Sequence, residues 1–409
     1  MEPQKYEELP KFLYCIMVVA GLFLLFLSLF TLFYLRPGAV GDLPLTRGWI
    51  LALFFIKLTA GLAYGYLVGA LWAEGGDCWS YYVTSVEMDN AVHAVKDFLF
   101  YGFPHRTDFL HYAFWNDLKE NLFIDLLSGM NLLTARSFYV DTLLLCGFTF
   151  GGWLKLVRLL STLFRGYPKW AYVLPFLFPS FLFFYTGLHP DSILFALLGY
   201  IASDVYRLLQ GEKGFIYFRL FVCLCLLVLL KIFLLLFLVP VLAGWILYRR
   251  GFRARLAWVV IGLGTACIFA AAAPEIASRQ RLYLERPSHS AIRVMNIAPT
   301  PSSLVTHFPY AVWNGLISPL PTTRSVLPFL LAVGEMLLLW VLAALSCFLR
   351  PDRRLSFYEK GWLWLAFVNY LLIGYTVTIM WDVYRYRGLF LPFVLSLLLL
   401  PLLRPKTVL

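Results

Sequence analysis

Charge is what this sequence has least of. Of its 409 residues only 14% are Asp, Glu, Lys or Arg, where a soluble domain carries about 25%. Together with 61% hydrophobic residues and a mean hydropathy of +0.76, this excludes an ordinary soluble enzyme and leaves little room for a separate soluble domain. Cysteine is also sparse. Six of the seven cysteines (Cys15, Cys146, Cys223, Cys225, Cys267, Cys347) fall in or beside apolar runs and only Cys78 lies in a polar stretch, so there is no disulfide framework. No zinc-ligand spacing occurs, and no metal or cofactor is assigned. Internal repeats and low-complexity segments are lacking, which argues against transporters built from inverted repeats. Acids are outnumbered by bases, 23 to 34, for a net charge of +11. The Lys and Arg sit in short stretches between apolar runs, so they read as signals of membrane orientation rather than as a nucleic-acid surface.

What is present is a series of apolar runs. They fall near residues 12–35, 48–72, 138–160, 170–187, 191–208, 215–230, 232–248, 256–273, 326–349, 361–380 and 388–403. Each is close to bilayer length, so an all-α, polytopic transmembrane helix bundle of about 11 spans is expected, as a single transmembrane domain over 1–409. The first run is too long for a signal-peptide core and reads as a retained span. The 34-residue run 215–248 is interrupted by Lys231 and Pro240 and is read as two short helices turning at Lys231. That reading keeps the arginine-rich "YRRGFRAR" (248–255) on the same side as "RPDRR" (350–354) and the basic C-terminal end, which the positive-inside pattern makes cytoplasmic.

Two large outer loops follow, 73–137 and 274–325. The first is acidic, with Glu74, Asp77, Glu87, Asp89, Asp97, Asp108, Asp117, Glu120 and Asp125. Its segments "SVEMDNAVHAVKDFLFYG" and "HYAFWNDLKENLFIDLLSGM" repeat apolar residues at helical spacing, among them Phe114, Leu118, Leu122 and Leu126, and predict amphipathic helices lying on the outer membrane surface. The second loop resists the charge pattern, because it carries Arg279, Arg281, Arg286, Arg293 and Arg324.

Charges at the rim of a bilayer are costly and mark candidate sites. Asp77 follows the second run in "GGDCWSYY" (75–82), where the glycines remove side-chain bulk and Trp79, Tyr81 and Tyr82 offer rings for sugar stacking or interfacial anchoring. The turn "TGLHPDSI" (186–193) carries His189 and Asp191, and Asp191 after Pro190 also suits the first turn of a helix. Lys231 sits amid "LLVLLKIFLLLF", and Asp382, Arg385 and Arg387 open the last run. A carboxylate at Asp77 or Asp191 can take the proton of an attacking sugar hydroxyl, and Lys or Arg can stabilise a departing phosphate. These groups are expected in one external cavity, with Lys231, Arg385 and Arg387 facing Asp77.

The stretch "KLTAGLAYGYLVGALWAEGGDCWSYY" (57–82) resembles the opening of multi-span proteins from bacterial surface-polysaccharide gene clusters, and "FPSFLFFYTGLHPDSILFALLG" (178–199), "HFPYAVWNGLISPLP" (307–321) and "YRYRGLFLPF" (384–393) resemble three further signatures of that group. The group is similar to GT-C glycosyltransferases. The resemblance implies a GT-C-like bundle in the bacterial cytoplasmic membrane with its active site facing outside. It implies Asp77 as catalytic acid/base, with Glu74 the nearest acidic partner, and Arg385 and Arg387 as phosphate contacts. The expected function is transfer of a sugar from a polyprenyl-phosphate carrier to a glycan or lipid-linked acceptor. Two alternatives stand beside it. One is an O-antigen-type oligosaccharide polymerase, whose work would fall to outer-loop arginines such as Arg286 and Arg293. The other is a non-enzymatic flippase, transporter or assembly partner. Membrane lipid is an expected partner and nucleic acid is not.

Overall fold

The computed structural model describes residues 4–36, 43, 45–71, 76–91, 112–164, 166–285, 294–318, 326–349 and 355–402. Among them there are helices and no strands. The helices are α1 (Gln4–Tyr34), α2 (Arg47–Leu71), α3 (Gly76–Ala91), α4 (Tyr112–Thr134), α5 (Phe138–Leu163), α6 (Pro179–Phe184), α7 (Pro190–Leu209), α8 (Phe215–Arg249), α9 (Ala254–Glu285), α10 (Pro301–Val312), α11 (Val326–Leu349), α12 (Phe357–Thr376), α13 (Met380–Gly388) and α14 (Leu391–Leu402). Among the described residues seven helical segments, in α1, α2, α5, α7, α8, α9 and α11, are long and apolar enough to cross a membrane. The chain is a helical membrane protein.

Several expected spans take another form. Residues 170–187 do not make one helix. Two 3-10 turns, Lys169–Tyr172 and Leu174–Phe176, lead to the six-residue α6 and then to bends at 185–189. The prolines at 168, 175 and 179 explain this, since each removes an amide donor and resists the turn before it. The last expected span shrinks to α14, whose 12 residues rise only about 18 Å. The expected loop 274–325 begins as helix, because α9 runs through Pro274 and carries Arg279 and Arg281. At Lys231 the backbone does leave helical geometry (φ −161°, ψ 75°), but for that residue alone, with helix on either side. Two helices thus meet at Lys231 across a kink, as the sequence led one to expect, and the break is one residue long.

The chain forms two compact units, residues 1–158 with 183–199, and residues 159–182 with 200–409. In the first, α5 and α7 meet backbone to backbone. A Cβ at Gly152 would overlap Ala196, and one at Gly199 would overlap the Gly152 carbonyl, so small residues allow an approach that suits helices packing without water to drive them. Of the first segment predicted as an amphipathic helix, residues 92–102 lie outside the described residues, and α3, which ends at Ala91, packs on α4. Leu118, Phe123, Leu127 and Met130 form the buried stripe of α4, Tyr81 sets its edge on Phe123, and Asn131 Nδ2 donates to Ser85 Oγ at 3.0 Å. The expected stripe was one position out of phase beyond Leu118, and Leu126 is exposed.

In the second unit α8 packs along α9, and both reach α12. A capping box starts α12, with Ser356 accepting from the Glu359 amide and Glu359 returning the contact. Trp245 stacks on Tyr358 at 5.0 Å within the same core. Ala273, Ile276, Leu304, Ala311, Leu371 and Tyr375 join α9, α10 and α12 in a second apolar cluster.

Candidate functional site

In the first unit the site is built on the non-helical segment 185–189 that precedes α7. Backbone that is not helical at membrane depth has to find partners within the protein. Here it does. Lys57 Nζ donates to the Tyr185 carbonyl at 3.2 Å, Cys146 Sγ to that of Thr186 at 2.9 Å, and Ser192 Oγ to that of Gly187 at 2.8 Å. Lys57 is fully buried on α2, its ammonium 4.6 Å from the centre of the Trp153 ring, a cation–π contact. The backbone amide of Ser192 donates to the His189 carbonyl at 3.0 Å, which closes the segment onto α7.

This frame holds His189 between two carboxylates. Its Nδ1 accepts the Asp191 amide at 3.1 Å and lies 3.3 Å from Asp191 Oδ2; its Nε2 lies 3.8 Å from Asp77 Oδ2. In the neutral ring the Asp191 amide therefore places the proton on Nε2, the nitrogen facing Asp77. In the protonated ring both nitrogens face a carboxylate. The side chain of His189 is 4% exposed and that of Asp191 10%, while Asp77 is 51% exposed and forms the accessible rim. Tyr81 presents an edge to the imidazole at 6.0 Å.

Asp77 stands in the first turn of α3, after Gly76, whose φ of +58° favours glycine. A Cβ there would also press on Val68 at 2.8 Å. Gly76 thus serves the close start of α3 on α2. Asp191 lies in the first turn of α7, so it keeps its helix-terminal role while it flanks His189.

Trp79 and Tyr82, expected either to stack on sugar or to anchor at the interface, both make packing contacts. Trp79 Nε1 donates to the Gly65 carbonyl at 2.8 Å and its ring stacks on Phe138 at 4.1 Å. Tyr82 donates to the Arg136 carbonyl and sets its edge on Phe138. Burial pushes its phenol above the usual range. Cys78 is buried in α3 rather than placed in a loop, and burial pushes its thiol up to about 12, which makes it a poor nucleophile.

The second unit holds the cations. Lys231 Nζ lies 4.1 Å over the Tyr386 ring, and Arg385 covers the same ring at 4.7 Å while donating to Tyr386 Oη at 2.8 Å and pairing with Asp382 at 3.4 Å. Lys231 and Arg385 are thus brought to one tyrosine from distant parts of the chain. Arg387 does not join them. Residues two apart on a helix face different ways, and Arg387 turns inward, where it is 5% exposed. Glu74, Arg286 and Arg293 lie outside the described residues.

Four groups escaped the sequence reading: Lys57, the Glu335 carboxylate in α11, and the Ser180 and Tyr384 hydroxyls that bond to it. The signal for the first two was present, since each is a lone charge inside an apolar run, as Lys231 is.

Together these features define a helical membrane protein whose first unit holds a carboxylate–imidazole–carboxylate cluster, buried at His189 and Asp191 and open at Asp77. Comparison with protein-family models, curated proteins and solved structures gave no match to this chain.

Proposed function

We propose that the chain is a membrane glycosyltransferase that moves a sugar from a polyprenyl-phosphate carrier to a hydroxyl of a glycan or lipid-linked acceptor. The reading follows from the resemblance in the sequence, and one observation supports its chemistry: His189, buried, sits between Asp77 and Asp191. In this reading Asp77, the exposed member, takes the proton of the acceptor hydroxyl. The hydroxyl oxygen forms a bond to the anomeric carbon, the bond from that carbon to the phosphate oxygen breaks, and polyprenyl phosphate leaves with the electron pair. His189 Nε2 faces Asp77 across 3.8 Å, and the Asp191 amide and carboxylate flank its Nδ1. A general base of this kind contributes about 10²–10⁴-fold in rate.

Purified full-length chain, incubated with a radiolabelled polyprenyl-phosphate sugar and a lipid-linked glycan acceptor, tests the reading. A single transfer supports it. Progressive chain growth would assign a polymerase, and absence of any product a non-enzymatic role. Of the arginines on which the polymerase reading would draw, Arg279 lies on α9 beside Glu275 at 3.9 Å, and Arg286 and Arg293 lie outside the described residues.

A further inference from the structure

The helix α10 is not one of the seven candidate spans, and its 12 residues, about 18 Å long, are too few to cross a bilayer. Its neighbours within the second unit fix its level. From Ala254, beside the arginine-rich stretch 249–255, α9 rises about 33 Å to Ile276, close to the thickness of a hydrocarbon core of about 30 Å. There α10 is seated, with Leu304 and Ala311 in one cluster with Ala273, Ile276 and Ala277. The course of α12 agrees. It begins near the arginines, where Phe357 stacks on Tyr248 at 4.4 Å, and ends at α10, where the Tyr375 hydroxyl donates to the Leu304 carbonyl at 2.5 Å. A Cβ on Gly374 would overlap the Ala311 carbonyl. Leu304 and Ala311, about two turns apart, thus meet adjacent residues of α12, so α10 crosses the end of that helix. It stands about one hydrocarbon thickness from the arginines, at the opposite headgroup level.

The sides of α10 are sorted to match. Leu304 and Ala311 form its buried side. At about 100° per residue the next side is apolar and open, with Phe308 and with Val305, which is 74% exposed. The side after that carries hydroxyls, Ser302 and Thr306, both exposed and one turn apart. Tyr310 and Trp313, exposed at its C-terminal end, are the rings that favour a headgroup level. Pro309 has no amide to give the Val305 carbonyl one turn before it. In hydrocarbon such a carbonyl is costly, whereas at the headgroup level water can meet it. There is no Lys, Arg, Asp or Glu in α10.

From this we infer that α10 is an interfacial helix, docked on the leaflet opposite the arginine-rich stretch, with Val305 and Phe308 turned into acyl chains and Ser302 and Thr306 into water. Its partner is the surface of a neutral or zwitterionic bilayer, because a helix without charged side chains gains nothing from lipid charge. The inference rests on the fold alone and holds whether or not the chain transfers sugar.

The test is spin labelling of the full-length, otherwise cysteine-free chain in liposomes of phosphatidylcholine. Nitroxides are placed one at a time by Ser302→Cys, Val305→Cys, Thr306→Cys and Phe308→Cys, all at exposed positions, so the packing on α9 and α12 is kept. Power saturation should show oxygen collisions exceeding those of a water-soluble nickel chelate at 305 and 308, at a depth of about 5–10 Å. At 302 and 306 the ratio should reverse, and anionic lipid added to the liposomes should leave the contrast unchanged. Nickel access dominating at all four positions would overturn the proposal, since the apolar side would then face water or a soluble partner. Oxygen dominating at all four would sink the helix into the hydrocarbon core. Dipolar broadening between labels at 308 would seat a second copy on this face, and a contrast that appears only with anionic lipid would contradict the neutral surface.

Discussion

At the scale of the residue, His189 lies between two acids that differ in exposure, Asp77 open and Asp191 largely buried. Asp77→Asn keeps shape and most hydrogen bonding but cannot take a proton. Under the proposed reaction it should insert and fold normally and turn over at least about a hundredfold more slowly in the labelled-sugar assay. Asp191→Asn keeps its backbone amide on His189 Nδ1, so the tautomer survives. It should lose on the order of 1 kcal/mol of stability as a helix-terminal acid, with a smaller fall in rate than Asp77→Asn. If Asp191→Asn proves the slower of the two, Asp191 is the base. Asp125 makes a pH prediction. It lies on α4, outside the seven candidate spans, and burial pushes its carboxyl up to about 6. The folded state then binds this proton more tightly than the unfolded chain, whose Asp titrates near 3.9. The contribution is complete below about pH 3.9 and is lost as the pH rises through about 6. Melting curves of wild type and Asp125→Asn between pH 4 and pH 7 should diverge accordingly, with the variant lacking this fall in stability.

At the scale of the element, the structure turns on close approach and on breaks in helices. Gly152→Leu would drive a side chain into Ala196 and force α5 from α7. Overpacking of this kind costs about 1–3 kcal/mol, and thermal melts followed by the helical circular-dichroism signal should show it. The break at 185–189 is the opposite case, where helix is lost and side chains replace its hydrogen bonds. Lys57→Met leaves the Tyr185 carbonyl without its donor, whereas Lys57→Gln retains a donor of nearly the same reach. Both variants remove the charge, so the comparison isolates the hydrogen bond: the Met variant should be less stable than the Gln variant by about 1–3 kcal/mol. A reversed order would mean that the carbonyl finds another partner.

At the scale of the whole molecule, orientation in the bilayer follows from the charge pattern. The stretch 249–255, between α8 and α9, holds four arginines and should face the cytoplasm. In a cysteine-free background, a cysteine at Phe252 should react with an impermeant thiol reagent only after cells are permeabilised. One at Leu132, 78% exposed on α4, should react from outside. Labelling of Phe252→Cys in intact cells would invert the orientation and move the cluster at Asp77 to the cytoplasmic side of the proposal.

The sequence by itself determined the class of the protein and much of its roster. Fourteen per cent charge and repeated apolar runs dictate a helical membrane protein, because lipid cannot solvate a free backbone group. Lone charges in or beside such runs made Asp77, His189, Asp191 and Lys231 stand out, since each must have a reason to be there. Prolines in 168–179 carried the signal that 170–187 would not be a plain span, but hydropathy alone hid it. Only the tertiary structure decided who meets whom. It set His189 against Asp77, over a hundred residues away in sequence, drew Trp79 and Tyr82 into packing on Phe138, and parted Arg387 from Arg385. Composition and periodicity are properties of neighbours along the chain. A proton-holding cluster arises from which helix faces are pressed together, and that is settled by packing across the bundle.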